Sequence, residues 1–207
     1  HLSLDGVEVG GVVGVTRALV NLVREHKPRY VAIVFDAGQR TFRNDMFEAY
    51  KQNRGAPPED LIPQFDLVVE ATEALGFQAF KQVGFEADDL VATFSRLATE
   101  QGISVTLVTD DKDITGLIQD GDCSVSQWLY SKKKRLNEVD VVGKYGVQSS
   151  QMVDYLAMMG DASDNIPGIK GVGPKTASQL LQHFGTLEQV IENVEQIPTI
   201  GIRGAKS

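Results

Sequence analysis

The chain has a single cysteine, Cys123, in 207 residues. That excludes an internal disulfide and suits a reducing compartment. Long apolar runs are missing too. None approaches the roughly 20 residues that a membrane span needs, so no membrane partner is expected. Positive charge is scarce: 20 Lys and Arg stand against 28 Asp and Glu, for a net charge of −8 and a pI near 4.9. By its sum, this argues against a nucleic-acid binder, whose footprint is usually basic. The sum hides the arrangement, because an acidic metal site and a basic binding strip can share one chain. There is no internal repeat, low-complexity tract or secretory leader, and the opening at His1 rather than Met gives the expectation of a fragment. What is present is ordinary: 42% hydrophobic and 23% charged residues, enough for one large domain or a domain with a smaller companion.

Periodicity divides the chain at about residue 146. Asp5-Gly6 reads as a turn. Apolar residues at 12, 15, 16, 19, 22 and 23 predict a one-faced helix ending near His26, before Lys27-Pro28. Tyr30 to Phe35 is a continuous apolar run ending in Asp36, the pattern of a buried parallel strand with a carboxylate at its C-terminal end. Leu61 to Leu75 predicts a helix with Leu61, Phe65, Val68, Val69, Thr72 and Leu75 on one side, stopped by Gly76. A strand at 77–83 leads into Glu86-Ala87-Asp88-Asp89 and a helix that runs to Gly102. Ile103 to Val108 predicts another buried strand, followed by a short helix. Residues 124–129 and 135–136 predict a hairpin. This alternation predicts an α/β fold with a Rossmann-like, mostly parallel sheet. After Gly146 the pattern is helical, over 150–159, 174–184 and 186–195.

Asp36, Glu86/Asp88/Asp89 and Asp111/Asp113 all lie just past predicted parallel strands, the edge where open α/β sheets bind ligands. Neighbouring strands would bring them to one edge. Asp161 and Asp164 form a further cluster at the end of a helix. Oxygen ligands without Cys or His point to Mg²⁺ or Mn²⁺ rather than zinc. More carboxylates than one ion needs suggests two ions, the arrangement suited to phosphodiester cleavage. Each cluster alone has a plain structural explanation: a first-turn acid for Asp88 and Asp89, an N-cap for Asp111, turn formation for Asp161 and Asp164. Their shared position is harder to assign to capping.

Two basic elements complement the acids. In Lys170-Gly171-Val172-Gly173-Pro174-Lys175-Thr176, the glycines allow a tight turn and Pro174 suits a first helical position. The helix start could then offer amides, with the Lys175 charge, to a phosphate. An ordinary connection between helices is the alternative. Over 38–60, Arg43, Lys51 and Arg54 are interleaved with Phe42, Phe47 and Tyr50. If helical, Lys51 and Arg54 share a face and could grip a phosphate while an aromatic ring stacks on a base. A solvated helix face is the alternative. The Lys132 to Arg135 tip reads as a solvated hairpin end.

Taken together, Val34-Phe35-Asp36-Ala37, Thr41-Phe42-Arg43, Tyr50-Lys51 with Arg54, Glu86-Ala87-Asp88-Asp89, Thr109 to Asp113, Gly160 to Gly168 and Gly171 to Ala177 follow in the order of a known family. The chain resembles the 5′-nuclease domain of bacterial DNA polymerase I, with phage 5′-nucleases and flap endonucleases as relatives. Tyr145-Gly146-Val147 and Arg203 to Lys206 extend the resemblance. It implies a PIN-like α/β core over 1–146 with a helical arch at about 38–60, and a helix–three-turn–helix region over 147–207. The implied activity is structure-specific 5′→3′ exonuclease and flap endonuclease cleavage of DNA in primer removal, replication and repair. Implied cofactors are two Mg²⁺ or Mn²⁺ ions, with K⁺ at the Gly171–Gly173 hairpin. By position, Asp36, Glu86, Asp88, Asp89, Asp111, Asp113, Asp161 and Asp164 correspond to metal ligands and their shell. Lys51 and Arg54 correspond to the catalytic arch residues that steer the phosphate. Arg43, Tyr50, Lys170, Gly171, Gly173, Lys175 and Thr176 correspond to DNA contacts. The implied partner is DNA with a 5′ flap, nick or gap, or an RNA primer–DNA hybrid, met by a monomer in the bacterial cytoplasm or an organelle. A catalytically impaired DNA-structure binder and an RNA-directed nuclease are the alternatives.

Two positions depart from the family pattern. Leu2 to Gly6 imitates the family's first strand, but too little chain separates it from Asp36. Asp5 therefore reads as a loop residue, with the true first strand and its metal-binding Asp expected upstream. Asp110 stands where polymerase I proteins often carry Gly.

Overall fold

A computed structural model describes residues 2, 3, 6–38 and 40–202. Asp5, Gln39 in the expected arch, and the closing Arg203 to Lys206 lie outside the described residues. The chain forms two compact units, His1–Asp45 with Gly55–Leu90, and Met46–Arg54 with Val91–Ser207. Among the described residues no helix is long and apolar enough to cross a membrane.

In the first unit, α1 (Gly10–His26) packs on α3 (Ile62–Ala74). α1 ends where the pattern predicts. Lys27 turns left-handed at φ 45° and its N–H closes on the Val23 carbonyl, and Pro28 cannot continue the helix. Buried Gln64 fastens the pair: its Oε1 accepts from Gly11 N at 2.7 Å and its Nε2 donates to the Asp60 carbonyl at 2.8 Å. The Gly11 amide is one of the orphan donors of a helix start, and here a side chain 53 residues away satisfies it. A Cβ at Gly11 would stand 3.0 Å from Gln64 Oε1, so a larger residue there would require the Gln64 amide to shift by a few tenths of an ångström. The buried positions of α3 are Gln64 and Thr72, while Phe65 is 51% exposed. The expected side is thus covered in part: Thr72 is buried and Leu61, Val68 and Val69 are half-buried, while Phe65 and Leu75 are exposed. β1 (Ile33–Val34) pairs in parallel with β2 (Ala79–Phe80), Ile33 opposite Ala79 and Val34 opposite Phe80. The expected buried strand is shorter than its apolar run, and Tyr30 is 64% exposed, because the ladder extends only as far as β2 opposes it. α2 (Phe42–Met46) follows, and Phe42 N donates to the Gly84 carbonyl at 3.1 Å. This short helix and the turns after it, with Lys51 at φ 56°, stand where a longer helical arch was expected.

α4 (Ala87–Glu100) counts with the first unit through Leu90 and with the second from Val91. In the second unit, β3 (Val105–Val108) pairs in parallel with β4 (Val125–Leu129), which pairs antiparallel with β5 (Lys134–Leu136). The last two form the expected hairpin. The expected parallel pairing is thus present, but among the described residues it is divided over two sheets. Leu107, Ile114 and Val125 form a small core with Val91, Val105 and Leu117. The larger core runs through α5 (Glu138–Tyr145), α6 (Met152–Met159), α7 (Pro174–Phe184) and α8 (Leu187–Glu192). It joins Ile118, Leu129, Leu136 and Val141 to Val147, Met152, Met158, Leu180 and Leu181. Residue 146, where strands give way to helices in the sequence, is therefore no break in packing. Gly146 simply ends α5 at φ 72°, the left-handed cap that glycine adopts at low cost.

Candidate active site

In the first unit, the start of α4 gathers Asp36, Glu86, Asp88 and Asp89. A helix start leaves backbone N–H groups without partners. Asp36 Oδ1 accepts from Ala87 N at 2.7 Å, and Asp89 Oδ2 reaches back to Glu86 N at 2.9 Å. The first-turn reading is realised in Asp89, and Asp36 adds a second cap from 51 residues away. Arg43 adds a fork onto Asp89, with Nη1 and Nη2 at 2.8 and 2.7 Å from its two oxygens. This geometry fits a guanidinium and a carboxylate edge to edge. Arg43, read in the sequence as a DNA contact, is thus the ion-pair partner of Asp89. Asp88 and Glu86 lie half-buried beside them.

In the second unit, β3 runs into Thr109-Asp110-Asp111-Lys112-Asp113. Thr109 Oγ1 accepts from Asp111 N and Asp111 Oδ1 accepts from Asp113 N, each at 3.0 Å, which starts the 3-10 turn Asp113–Leu117. Asp110 Oδ2 instead accepts from Ser131 N at 3.1 Å at the hairpin tip. The loop is fixed from beneath by Gln127 of β4, which is 0% exposed. Its Nε2 donates to the carbonyls of Thr109 and Asp111 at 3.0 and 2.7 Å, and its Oε1 accepts from Thr115 Oγ1 at 3.0 Å. Sequence reasoning passed over Gln127; its one signal was a polar residue in the middle of a strand run.

Asp161 joins this loop through Lys112. The Lys112 ammonium donates to Asp161 Oδ2 and lies 3.4 Å from Asp113 Oδ1. Burial works to raise the Asp161 carboxyl, but hydrogen bonds from Lys112 and Ser163 outweigh it and hold it down at about 2. Asp113 is pushed up, chiefly by burial, with the Lys112 charge opposing and Asp111 adding repulsion. For Lys112, burial acts downward, but the bond to Asp161 and the charges of both aspartates raise it overall. Lys112 was also missed in the sequence, although it sits between Asp111 and Asp113.

Asp164 has a different setting. It is buried, with Arg54 Nη2 at 2.5 Å, Tyr50 Oη at 3.2 Å and Lys51 Nζ at 3.8 Å. Lys51 N also donates to its carbonyl at 3.1 Å, Asn53 donates to the Ala162 carbonyl at 2.6 Å, and Asn165 donates to the Ala49 carbonyl at 2.7 Å. The 49–54 strap is thus tied to the 161–165 loop, and residues read as a metal ligand and as phosphate contacts neutralise one another. The loop itself is pinched shut. A Cβ on Gly168, at φ 64°, would stand 2.4 Å from Gly160 N.

The α6–α7 connection presents the sequence-predicted hairpin. Gly171 takes φ 82°, Gly173 precedes the helix, and Pro174 opens it. Val172 packs into the core while Lys170, Gly171 and Lys175 stay exposed. Thr176, expected among the DNA contacts, is only 8% exposed.

Among the described residues no three acidic, His or Cys side chains converge as a ready-made ion cage. The donor chemistry nonetheless fits a hard cation: Asp113 and Asp161 are oxygen donors that already share one ammonium. Residues 2–146 match the family model for the 5'-3' exonuclease N-terminal resolvase-like domain, and residues 147–205 match that for the 5'-3' exonuclease C-terminal SAM fold. A DNA polymerase I of Rhizobium leguminosarum is 42% identical over 203 residues, covering 95% of this chain and 20% of that protein. A 5'-3' exonuclease of Bacillus subtilis strain 168 is 39% identical over 198 residues, covering 94% of this chain and 66% of that protein. The chain thus spans a fifth of the polymerase relative. Among solved structures, a variant of the bacteriophage T5 flap endonuclease, in a pseudo-enzyme–product complex with DNA and metal ions, aligns at TM-score 0.75 and 25% identity. The alignment covers 88% of this chain and 70% of that one. With both family models together spanning nearly all of it, the chain belongs to the 5'-3' exonuclease family.

Proposed function

We propose that this chain hydrolyses DNA phosphodiesters near 5′ ends, as a divalent-metal-dependent 5′→3′ exonuclease and flap endonuclease. The observation that carries the reading is the second unit, where one compact body bears both an acidic loop pair, Asp113 with Asp161, and an exposed glycine hairpin with Lys170 and Lys175. Mg²⁺ or Mn²⁺, two ions in the full reaction, is the proposed cofactor. Asp111, Asp113 and Asp161 in one unit, and Asp36, Glu86 and Asp88 in the other, are the proposed ligands. When bound, such ions supply the Lewis acidity that activates water and stabilises charge on the phosphate.

The chain's own residues do the rest. The Gly171–Lys175 hairpin holds the duplex backbone without reading its sequence, and its backbone oxygens suit K⁺. Lys51 and Arg54 exchange Asp164 for a phosphate. Gln127 and Arg43 hold the acidic groups in place. Nicked, gapped or 5′-flapped DNA is the proposed substrate, met by a monomer. The test is cleavage of a 5′-flap duplex with Mg²⁺ and with a chelator. Alanine at Asp88 or Asp113 should abolish cleavage while DNA binding stays measurable; full activity in both variants would rule out the assigned ligands. Binding without Mg²⁺-dependent cleavage in the unsubstituted chain would instead identify a DNA-structure binder.

A further inference from the structure

Asp113 and Asp161 come from different elements, the 3-10 turn after β3 and the loop after α6. Left alone, two carboxylates this close repel, and Asp111 adds to the negative charge felt by Asp113. The chain supplies its own answer in Lys112, whose ammonium bonds Asp161 and lies 3.4 Å from Asp113. The backbone beneath that lysine is fixed, because Gln127 holds the flanking carbonyls of Thr109 and Asp111 and Asp111 holds the Asp113 amide. Its side chain, by contrast, is 39% exposed, and lysine binds as a compact point charge rather than as a rigid fork.

A divalent ion requires the same oxygens on different terms. Mg²⁺ draws its ligands to about 2.0–2.1 Å in an octahedron, and an ammonium cannot share that position. Resting on the metal-dependent reading above, we propose that Lys112 is a resident counter-cation. It holds Asp113 and Asp161 together in the metal-free protein, yields when a divalent ion arrives, and so sets the metal affinity of this pair. It is a positioning residue: it shapes the pair before loading and makes the ion compete for it.

The test uses two variants of the full chain without DNA. Lys112→Met keeps an unbranched stem and removes the charge; Lys112→Arg keeps the charge. Mn²⁺ binding is followed by the electron paramagnetic resonance of the free ion, and melting is followed with and without Mn²⁺. Lys112→Met should tighten Mn²⁺ binding on the order of tenfold, since a nearby positive charge no longer opposes the ion. It should also melt lower than the unsubstituted chain when metal-free and recover when Mn²⁺ is added. Lys112→Arg keeps the charge on a more rigid fork, so its Mn²⁺ binding should be no tighter than that of the unsubstituted chain. A Lys112→Met chain that folds only with Mn²⁺ supports the proposal. Unchanged or weaker Mn²⁺ binding in that variant, or a stability loss that Mn²⁺ does not restore, overturns it. Asp113→Asn separates the two levels: if it leaves Mn²⁺ binding of the unsubstituted chain intact, the metal-site reading itself falls, and this inference with it.

Discussion

Replacing Gln127 with leucine keeps nearly the same volume in the β4 core and removes every polar atom that reaches the acidic loop. Gln127 is fully buried and satisfies three partners: the carbonyls of Thr109 and Asp111 and the hydroxyl of Thr115. Thr115 is itself 1% exposed, so its hydroxyl would lose its partner with no route to water. The two carbonyls sit in a loop that can relax outward and recover part of their loss. Counting one buried orphan in full and the carbonyls in part, at about 1–3 kcal/mol each, gives a net loss of about 3 kcal/mol. In a chain of this size that lowers the melting temperature by roughly 6–12 °C. Because the same bonds orient Asp111 and Asp113, Mn²⁺ affinity should fall about ten- to hundredfold, as it does when groups supporting metal ligands are removed. Thermal melting and Mn²⁺ titration read the two effects. Gln127→Glu should do no better, since its carboxylate would face two carbonyl oxygens. A leucine variant with unchanged melting and unchanged Mn²⁺ affinity would refute the view that this amide holds the loop.

Other outcomes follow from the same structure. Gly168→Ala forces a Cβ to within 2.4 Å of backbone at φ 64°, so its urea midpoint should fall by the equivalent of about 3 kcal/mol or more. Gly173→Ala meets nothing within 4 Å and has an ordinary φ of −103°; stability should hold while duplex affinity drops, because a methyl group would stand between the turn and the DNA backbone. Asp161 is depressed to about 2 in the folded chain from 3.8. Its contribution to stability is therefore complete above pH 3.8 and lost as pH falls through about 2. Asp161→Asn should remove that acid limb from a stability-against-pH curve, and an unchanged limb would show that other groups cause it. Lys51→Ala leaves Asp164 paired with Arg54, so stability should change by less than about 1 kcal/mol. The cleavage rate should fall more than duplex binding does.

What the chain determines locally could be read directly. The end of α1 at Lys27-Pro28, the Gly173-Pro174 start of α7, and the β4–β5 hairpin all follow from backbone preferences that act over a few residues. The acids after β1, before α4 and after β3 were legible for the same reason. Pairing was not. Arg54 meets Asp164 across 110 residues, Asp36 meets the Ala87 amide across 51, and Lys112 meets Asp161 across 49. No periodicity encodes which opposite charge or orphan amide a carboxylate will reach. Burial also eluded the pattern. Tyr30 and Phe65 belong to convincing apolar runs, yet both are largely exposed, while polar Gln64 and Gln127 are buried. An apolar run shows that a segment can be covered, but only the packed partner decides which residues are. The sequence by itself thus determined which acidic and basic residues cluster at the candidate site and most of the elements that carry them. The tertiary structure alone decided that Asp36 caps a helix, that Asp164 is already paired with Arg54, and that Asp113 and Asp161 share a lysine, because each depends on groups far apart in the chain approaching within a few ångströms.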